Sequence, residues 1–334
     1  TDKDDELAQN AYYHLADCYL SMDNKNKAKL AFEFASKLNH DMQIKQNALF
    51  NYAKITFQLK NTPFNDAVKA FKNYIEQYPD ADNIKEAYGY LVKAYLNTNN
   101  YKEALLSLDK IDDKDESLKK AYQKVAYYRG LELYNNRHYK KAIDALSKSL
   151  KYNRHYKHIT ALSYYWKGEA FYQLEQFQQA SESFNNFIMS PGAFSSDVYN
   201  KAHYNIAYAH YMQEEYPQSI KWFRKYLNLT NKAKSEYIAD TYIRLGDCYF
   251  MQRSLWQAVE YYDKALDLAM RDQDYALYQR AIALGLLDRP EKKIRSLKRL
   301  VENFQESDYL NNAYFELGRS YMNMEKAAEA KSYF

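Results

Sequence analysis

The chain has 334 residues, 47% of them hydrophobic and 27% charged, and a formal net charge of +4 at pH 7. These proportions are ordinary for a globular protein and argue against intrinsic disorder. Seven glycines and five prolines are too few for a loop-rich or β-rich fold. No apolar run approaches the roughly 20 residues that a membrane-spanning helix needs, so no such segment is predicted.

A pair of small residues recurs nine times along the chain, about every 38 residues. The first member of each pair, here called the first small site, is Ala16, Ala53, Val92, Gly130, Gly168, Ala207, Gly246, Ala281 or Gly318. The second small site usually follows twelve residues later and is Ala28, Ala67, Ala104, Ala142, Ala180, Ser219, Ala258, Lys293 or Ala330. Only Val92 and Lys293 are not small. This period predicts an all-α solenoid in which each repeat is a hairpin of two helices.

The small residues have a packing reason. Two helices approach each other closely only where the side chains at their crossing are small, and large residues then fill the space around the crossing. The residues four positions after the second small site are Phe32, Phe71, Leu108, Leu146, Phe184, Phe223, Tyr262, Leu297 and Phe334. Positions four before and three after the first small site share one helical face with it. We therefore predict that all three positions form the core.

Several segments of these repeats resemble the tetratricopeptide-repeat (TPR) superfamily. Residues 242–250 (YIRLGDCYF) and 314–322 (YFELGRSYM) are similar to the first helix of its repeat. Residues 101–105 (YKEAL), 139–143 (YKKAI) and 177–181 (FQQAS) are similar to the start of its second helix. The resemblance extends over nearly the whole chain. It implies an all-α, right-handed superhelical solenoid of about nine TPR-like helical hairpins.

No Gly/Ser-rich linker or low-complexity segment interrupts the repeats, so we predict a single continuous TPR-like array over residues 1–334. The predicted repeats lie near residues 9–42, 43–83, 84–121, 122–159, 160–198, 199–237, 238–272, 273–309 and 310–334. A solenoid ends in repeats with a polar outer face, and neither end of this chain has that pattern. We therefore expect the array to be truncated at both ends.

The repeats depart from the usual TPR pattern in two ways. They are longer than its usual length of about 34 residues, and a late second-helix position that is usually small is often bulky, as at Tyr74, Phe187 and Leu300. Residues 71–79 (FKNYIEQYP) and 297–321 (LKRLVENFQESDYLNNAYFELGRSY) resemble the subgroup of outer-membrane assembly lipoproteins and the Tol–Pal accessory protein. This narrower resemblance implies a periplasmic or outer-membrane-associated location rather than a cytoplasmic one.

The prolines and the two cysteines both follow the repeat pattern. Second helices are predicted to begin at Pro63, Pro217 and Pro290 and to end at Pro79 and Pro191. Cys18 and Cys248 occupy equivalent positions in repeats far apart in the chain. Since such repeats do not touch in a solenoid, the cysteines are not expected to form a disulfide with each other. We predict that each one is a small buried apolar residue.

No pattern typical of catalysis or of a cofactor site is present. The chain lacks a nucleophile elbow, a Walker-type phosphate loop, a dinucleotide fingerprint and an HExxH motif. His203 and His210 are seven residues apart, roughly 10.5 Å along a helix, which is too far for a shared metal ion. His155 and His158 have no companion cysteine or carboxylate close in sequence. We therefore predict that the protein is not an enzyme and needs no cofactor or metal.

The strongest functional signal is the abundance of tyrosine, with 37 such residues. A largely aromatic stripe lies three residues before and four residues after each first small site, and both positions are tyrosine in three successive repeats. In the TPR family this stripe faces the concave groove that binds peptides or helices. The predicted partner-binding residues are Tyr127, Tyr134, Tyr165, Tyr172, Tyr204, Tyr208 and Tyr211. Tyrosine suits such a surface because it offers apolar area and one hydrogen-bonding group. The alternative is that the stripe packs against the neighbouring repeat.

The predicted function is a non-catalytic scaffold or adaptor that binds a peptide or a partner protein along this aromatic-lined face. One alternative is an architectural spacer within a larger multidomain envelope protein. Another is charge-based docking of an acidic or nucleic-acid partner through repeats three to five, because residues 119–158 contain eleven Lys and Arg residues but only two acidic residues, Glu132 and Asp144.

The sequence also indicates which class of partner the chain binds. Nucleic acid is disfavoured because no dedicated recognition motif accompanies the basic residues. Some TPR adaptors capture a free C-terminal carboxylate with a clamp of Lys and Asn. That mode is disfavoured because aromatic residues occupy the lysine sites of the clamp. A protein or peptide partner is therefore predicted, with its identity and the oligomeric state left open.

Overall fold

The computed structural model describes residues 2–59, 64–230 and 235–334, and within these ranges it consists of α-helices joined by short turns, without β-strands. The predicted all-α fold class is confirmed. Residues 60–63, within predicted repeat 43–83, and residues 231–234, within predicted repeat 199–237, lie outside the described residues. The chain forms two compact units, Thr1–Trp166 and Lys167–Phe334. The single continuous array therefore stays a prediction.

The first unit contains the first eight helices and the beginning of the ninth. They are α1 (Asp2–Ser21), α2 (Lys25–Lys37), α3 (Met42–Gln58), α4 (Phe64–Gln77), α5 (Ile84–Asn97), α6 (Tyr101–Asp109), α7 (Glu116–Asn135), α8 (Tyr139–Leu150) and α9 (Lys157–Gln173). From α1 to α7, each helix packs against the next one in the chain. This order of contacts is the one expected for consecutive helical hairpins.

The second unit contains the end of α9 and nine further helices. They are α10 (Phe177–Met189), α11 (Tyr199–Met212), α12 (Tyr216–Leu229), α13 (Glu236–Met251), α14 (Leu255–Leu268), α15 (Gln273–Leu286), α16 (Pro290–Asn303), α17 (Leu310–Asn323) and α18 (Ala327–Lys331). Each helix from α10 to α17 again packs against the next. Both units thus have the hairpin order that the repeat pattern predicts.

Close approach at the first small sites is confirmed most clearly at the glycines. A Cβ atom added to Gly246 would lie 2.5 Å from the Tyr262 ring, and one added to Gly130 would lie 2.6 Å from Leu146. In both cases the partner is the predicted large residue four positions after the second small site. Eight of these nine large residues have an exposed fraction of 0%, while the last one, Phe334, is 72% exposed. The small sites are therefore the points where the two helices of a hairpin cross.

Lys293, one of the two exceptions to the small-residue rule, is buried in an ion pair. Its Nζ lies 2.5 Å from Glu316 Oε2, and both side chains are about one-tenth exposed. Arg319 also approaches Glu316, at 3.4 Å. Gly285 makes room for the lysine stem, since a Cβ atom there would lie 3.1 Å from Lys293 Cδ. A buried charge persists only when it is paired in this way.

The described hairpin turns share one backbone geometry, which the repeat pattern did not predict. In eight repeats the seventh residue after the first small site has a positive φ between 54° and 61°, namely Asp23, Asn99, Arg137, Glu175, Glu214, Arg253, Asp288 and Glu325. The next residue donates its backbone N–H across the turn, as from Asn24 to Tyr19 O at 2.8 Å. This is a Schellman-type helix end, which usually uses glycine. In these turns residues other than glycine adopt this conformation.

The prolines behave as predicted where they are described, and the cysteines do so only in part. Pro217 and Pro290 lie in the first turns of α12 and α16, and Pro63 lies outside the described residues. Cys248 is fully buried, as predicted, and its Sγ lies 3.5 Å from Ser219 Oγ of α12. The prediction is wrong for Cys18, which is exposed.

Candidate protein-binding site

The seven predicted partner-binding tyrosines are divided between the two units. Tyr127 and Tyr134 of α7 and Tyr165 of α9 belong to the first unit. Tyr172 of α9 and Tyr204, Tyr208 and Tyr211 of α11 belong to the second. Tyr127 and Tyr165 are only 6% and 2% exposed, whereas the other five are half-buried. Tyr127 and Tyr165 therefore offer little area to a partner.

In the first unit these rings pack against other aromatic rings. The Tyr134 ring lies 5.0 Å from that of Trp166 and 5.4 Å from that of Tyr139, in edge-to-face geometry. Tyr165 contacts Trp166 edge-to-face at 5.5 Å. Burial raises the pKa of Tyr127 to about 12. These contacts favour the packing interpretation of the stripe here.

In the second unit the hydroxyls of Tyr204 and Tyr208 are held by a partly buried polar network. Tyr204 donates to Asp240 Oδ2 at 2.8 Å, and Tyr208 donates to the same atom at 2.6 Å. Asp240 lies on α13, which belongs to the next predicted repeat. Burial raises the pKa of both tyrosines, and the negative charge of Asp240 adds to the effect. The hydroxyls therefore stay protonated as donors and fix the two rings.

Arg244 extends this network along α13. Its Nε donates to Tyr208 Oη at 2.9 Å, and its Nη1 donates to Asp247 Oδ2 at 2.8 Å. Asp247 also accepts hydrogen bonds from Tyr262 at 2.8 Å and from Tyr275 at 3.0 Å. A buried carboxylate and a partly buried guanidinium are thus paired and hydrogen-bonded, as burial of charge requires.

One contact recurs between neighbouring repeats within each unit. The residue after a first small site reaches the residue six positions before the next first small site. This occurs between Tyr208 and Asp240 and between Asp247 and Tyr275 in the second unit, and between Lys54 and Glu86, at 3.1 Å, in the first. The polar residues beside the stripe thus join adjacent hairpins. Their separations are close to one repeat, but the pattern within a single repeat does not indicate which residues pair.

Of the predicted tyrosines of the second unit, Tyr172, Tyr204 and Tyr208 border an open cleft of about 250 Å³, whereas Tyr211 does not line it. Its lining residues are Glu169, Tyr172, Gln173, Phe184, Lys201, Tyr204, Asn205, Tyr208 and Tyr237. We call it the tyrosine cleft. Tyr237 is 47% exposed, packs edge-to-face on Tyr204 at 5.2 Å, and lies 5.5 Å from Lys201 Nζ. Tyr237 lies outside the stripe positions, so the repeat pattern did not indicate it.

The rim of the tyrosine cleft is polar and carries both charge signs. Glu169 accepts a hydrogen bond from Asn205 Nδ2 at 2.6 Å, and Lys201 stands over Tyr237. Gln173 is exposed at the edge. Burial raises the pKa of Tyr172, so its hydroxyl is a neutral donor or acceptor at physiological pH. An apolar floor with polar groups at the rim suits a peptide side chain.

The four histidines considered from the sequence lie apart from the tyrosine cleft lining. His203 is fully buried, and its Nδ1 lies 3.0 Å from Tyr199 O. His210 Nδ1 lies 2.6 Å from Glu215 Oε2, and His155 Nδ1 lies 3.7 Å from Glu116 Oε2. Within the described ranges, no three His, Cys, Asp or Glu side chains are grouped as metal ligands would be, and no helix has the length and apolarity to cross a membrane.

The basic segment 119–158 is only partly neutralised. Lys119, Arg129 and Lys148 form ion pairs with Glu116, Glu132 and Asp109 at 3.0, 2.7 and 2.6 Å. Other basic residues of this segment, including Lys140, Lys141, Lys151 and Arg154, are exposed. Exposed lysines of this kind are typical of a solvated face, so the segment by itself does not define a docking site.

Comparison with known families finds models of the tetratricopeptide repeat that match residues 9–41, 127–194, 199–271, 275–307 and 312–334. Together these ranges cover more than half of the chain. The models describe the repeat and not the outer-membrane assembly subgroup. No curated protein sequence matches the chain.

Solved structures similar to the chain include a crystal structure of MamA, which is 16% identical, with 50% of this chain and 90% of that chain aligned and a TM-score of 0.42. They also include YrrB, described as a TPR protein with an unusual peptide-binding site. It is 17% identical over 57% of this chain and 89% of that chain, with a TM-score of 0.44. These scores are too low to support an inference about function.

Proposed function

Because the chain belongs to the tetratricopeptide-repeat superfamily, we propose that it is a non-catalytic scaffold that binds a peptide or a partner protein. Within the predicted set of tyrosines, the binding surface is the tyrosine cleft of the second unit, formed by Tyr172, Tyr204 and Tyr208 with Tyr237 at its rim. Tyr127, Tyr134 and Tyr165 support the helices of the first unit and contribute less contact area.

The observation that carries this proposal is the fixed orientation of half-buried rings around an open cleft. The hydroxyls of Tyr204 and Tyr208 are held by Asp240, so the rings lose little freedom when a partner binds. A preorganised aromatic surface binds more tightly than a mobile one because less side-chain entropy is lost. Packing between repeats and partner binding are therefore compatible roles for the same side chains.

The proposal can be tested without knowing the natural partner. A displayed library of random peptides is selected on the immobilised protein, and the affinity of an enriched peptide is measured by fluorescence anisotropy. Gln173→Trp places a large side chain at the rim without removing a packed ring. Gln178→Trp is the matched control, because Gln178 is exposed on α10 and does not line the cleft.

We expect Q173W to weaken peptide binding about tenfold or more, equivalent to about 1.4 kcal/mol, while Q178W changes it less than about twofold. Equal affinities for Q173W and the parent would place binding elsewhere. Failure to enrich any peptide would instead favour the architectural spacer.

The narrower proposal concerns location. If the subgroup resemblance of residues 71–79 and 297–321 reflects ancestry, the protein acts at the periplasmic side of an outer membrane. Fractionation of cells that produce the tagged full-length protein tests this directly. Recovery in the cytoplasm would contradict it and would leave the tyrosine cleft proposal unaffected.

A further inference from the structure

A further cleft of the second unit lies between two second helices. It encloses about 360 Å³ and is bordered by α12, α13 and α14. We call it the arginine cleft. It shares no lining residue with the tyrosine cleft, and its charged side chains lie on second helices, whereas the stripe tyrosines lie on first helices. Its lining residues are Arg224, Leu227, Asn228, Ile238, Tyr242, Tyr261, Lys264 and Leu268.

The inner surface of the arginine cleft is apolar and partly aromatic. Leu227, Ile238 and Leu268 supply aliphatic surface, and Ile238 is buried. The half-buried rings of Tyr242 and Tyr261 lie 6.2 Å apart with an interplanar angle of 36°. A ring of a bound group can pack against such a wall in offset or edge-to-face geometry. The cleft is therefore suited to the aromatic part of a ligand.

Arg224 supplies a positive charge beside this apolar surface. Its side chain is exposed, and in the part of the chain that the structure describes no carboxylate forms an ion pair with it. Its guanidinium carbon lies 5.7 Å from the centre of the Tyr249 ring, and Tyr249 stacks on Tyr261 at 5.4 Å with an interplanar angle of 7°. A guanidinium beside a ring still has N–H groups at its edge that can donate to an oxyanion.

The second cation of the cleft is held by an exposed ion pair. Lys264 Nζ lies 2.6 Å from Glu260 Oε1 and 4.5 Å from the centre of the Tyr261 ring. Ion pairs between exposed side chains are weak, so a dianionic ligand can compete with Glu260 for the lysine. Glu260 is not among the residues that line the cleft. Together Arg224, Lys264 and Glu260 carry a net positive charge.

We propose that the arginine cleft binds a phosphotyrosine side chain of a partner protein. The phenyl ring packs against Tyr242 and Tyr261, and the phosphate accepts hydrogen bonds from Arg224, with the Asn228 amide and Lys264 as further donors. A phosphate group suits these donors because it carries close to two negative charges at neutral pH and has three acceptor oxygens. This site goes beyond the proposed function and does not depend on the tyrosine cleft.

The test measures fluorescence anisotropy with the whole protein and a fluorescein-labelled, C-terminally amidated pentapeptide that has phosphotyrosine between glycines. The comparison peptides carry unmodified tyrosine or phosphoserine at the same position. Arg224→Gln removes the main donor. Asn228→Trp fills the cleft from an exposed position and leaves Arg224 in place. The matched control is Arg299→Gln, the same change at an exposed residue of α16 that does not line the cleft.

We expect the parent to bind the phosphotyrosine peptide at least about tenfold more tightly than the tyrosine peptide. The phosphoserine peptide should bind about three- to tenfold more weakly than the phosphotyrosine peptide because it lacks the ring. R224Q and N228W should each weaken binding of the phosphotyrosine peptide about tenfold, whereas R299Q should change it less than about twofold.

Four outcomes overturn the proposal. They are no preference of the parent for the phosphorylated tyrosine, equally tight binding of the phosphoserine peptide, an unchanged affinity in either R224Q or N228W, and an equal loss in R299Q. The second outcome would mean that the phosphate alone is recognised. None of these results bears on the Q173W experiment, because the two clefts share no lining residue.

Discussion

The crossing of α13 and α14 gives the sharpest stability prediction. Gly246→Ala adds a Cβ atom at 2.5 Å from Tyr262 Cε1 and 2.7 Å from Cδ1. Such distances are well inside van der Waals contact, so the Tyr262 ring must move. The ring is fully buried, and its hydroxyl donates to Asp247 at 2.8 Å. Movement therefore strains the core and weakens a buried hydrogen bond to a charged acceptor.

The magnitude follows from three effects. Overpacking of a well-packed core costs about 1–3 kcal/mol, and loss of a hydrogen bond to a charged group costs about 1.5–3 kcal/mol. Replacing glycine by alanine inside a helix stabilises the folded state by about 1 kcal/mol. We therefore expect G246A to lower the free energy of unfolding by about 2–4 kcal/mol. Gly89→Ala should instead raise it by about 0.5–1 kcal/mol, because the nearest atom to its added Cβ lies at 3.7 Å.

The assay is urea unfolding followed by circular dichroism, with hydrogen exchange to assign the change to a helix pair. A double-mutant cycle isolates the clash. In a Tyr262→Ala background the added Cβ atom meets no ring, so G246A should there be neutral or slightly stabilising. The crossing-site argument is refuted if G246A is as stable as the parent, or if it destabilises equally with and without the Tyr262 ring.

Three further changes test other parts of the structure by urea unfolding. Lys293→Met should cost about 3 kcal/mol because Glu316 stays buried with only Arg319 near it, and K293M combined with Glu316→Met should recover most of the loss. Tyr165→Ala should cost about 3–5 kcal/mol if the ring is core; a loss below about 1 kcal/mol would contradict that. Burial lowers the pKa of His203 below its ordinary value of 6.5. Below about pH 6.5 unfolding therefore takes up a proton, and the free energy of unfolding falls as the pH drops further. His203→Phe should reduce that fall.

The repeat period was enough to predict the helical hairpins and their crossings. A small residue followed by a large one at a constant offset is a local signal, because both residues lie within one hairpin. Gly130 with Leu146 and Gly168 with Phe184 meet as that offset requires. The same reasoning identified Cys248 as buried. Contacts inside a repeat join residues that are close in sequence, so the repeat pattern predicts them.

The role of each stripe tyrosine depends on what the neighbouring repeat presents. Tyr165 is buried while Tyr172, seven residues later on the same helix, is half-buried at an open cleft. No pattern within one repeat distinguishes them. The network that holds Tyr208 joins residues 32 and 36 positions away, and such pairings appear only once adjacent hairpins are stacked.

The amino-acid sequence by itself thus determined the helix pairs and their crossing points, because the residues that form them lie within one repeat. Only the tertiary structure decided which equivalent positions are covered. Cys18 and Cys248 share one sequence context, yet just Cys248 has α12 packed over it. Whether a side chain is exposed depends on the neighbouring hairpin, which lies outside the repeat that contains it.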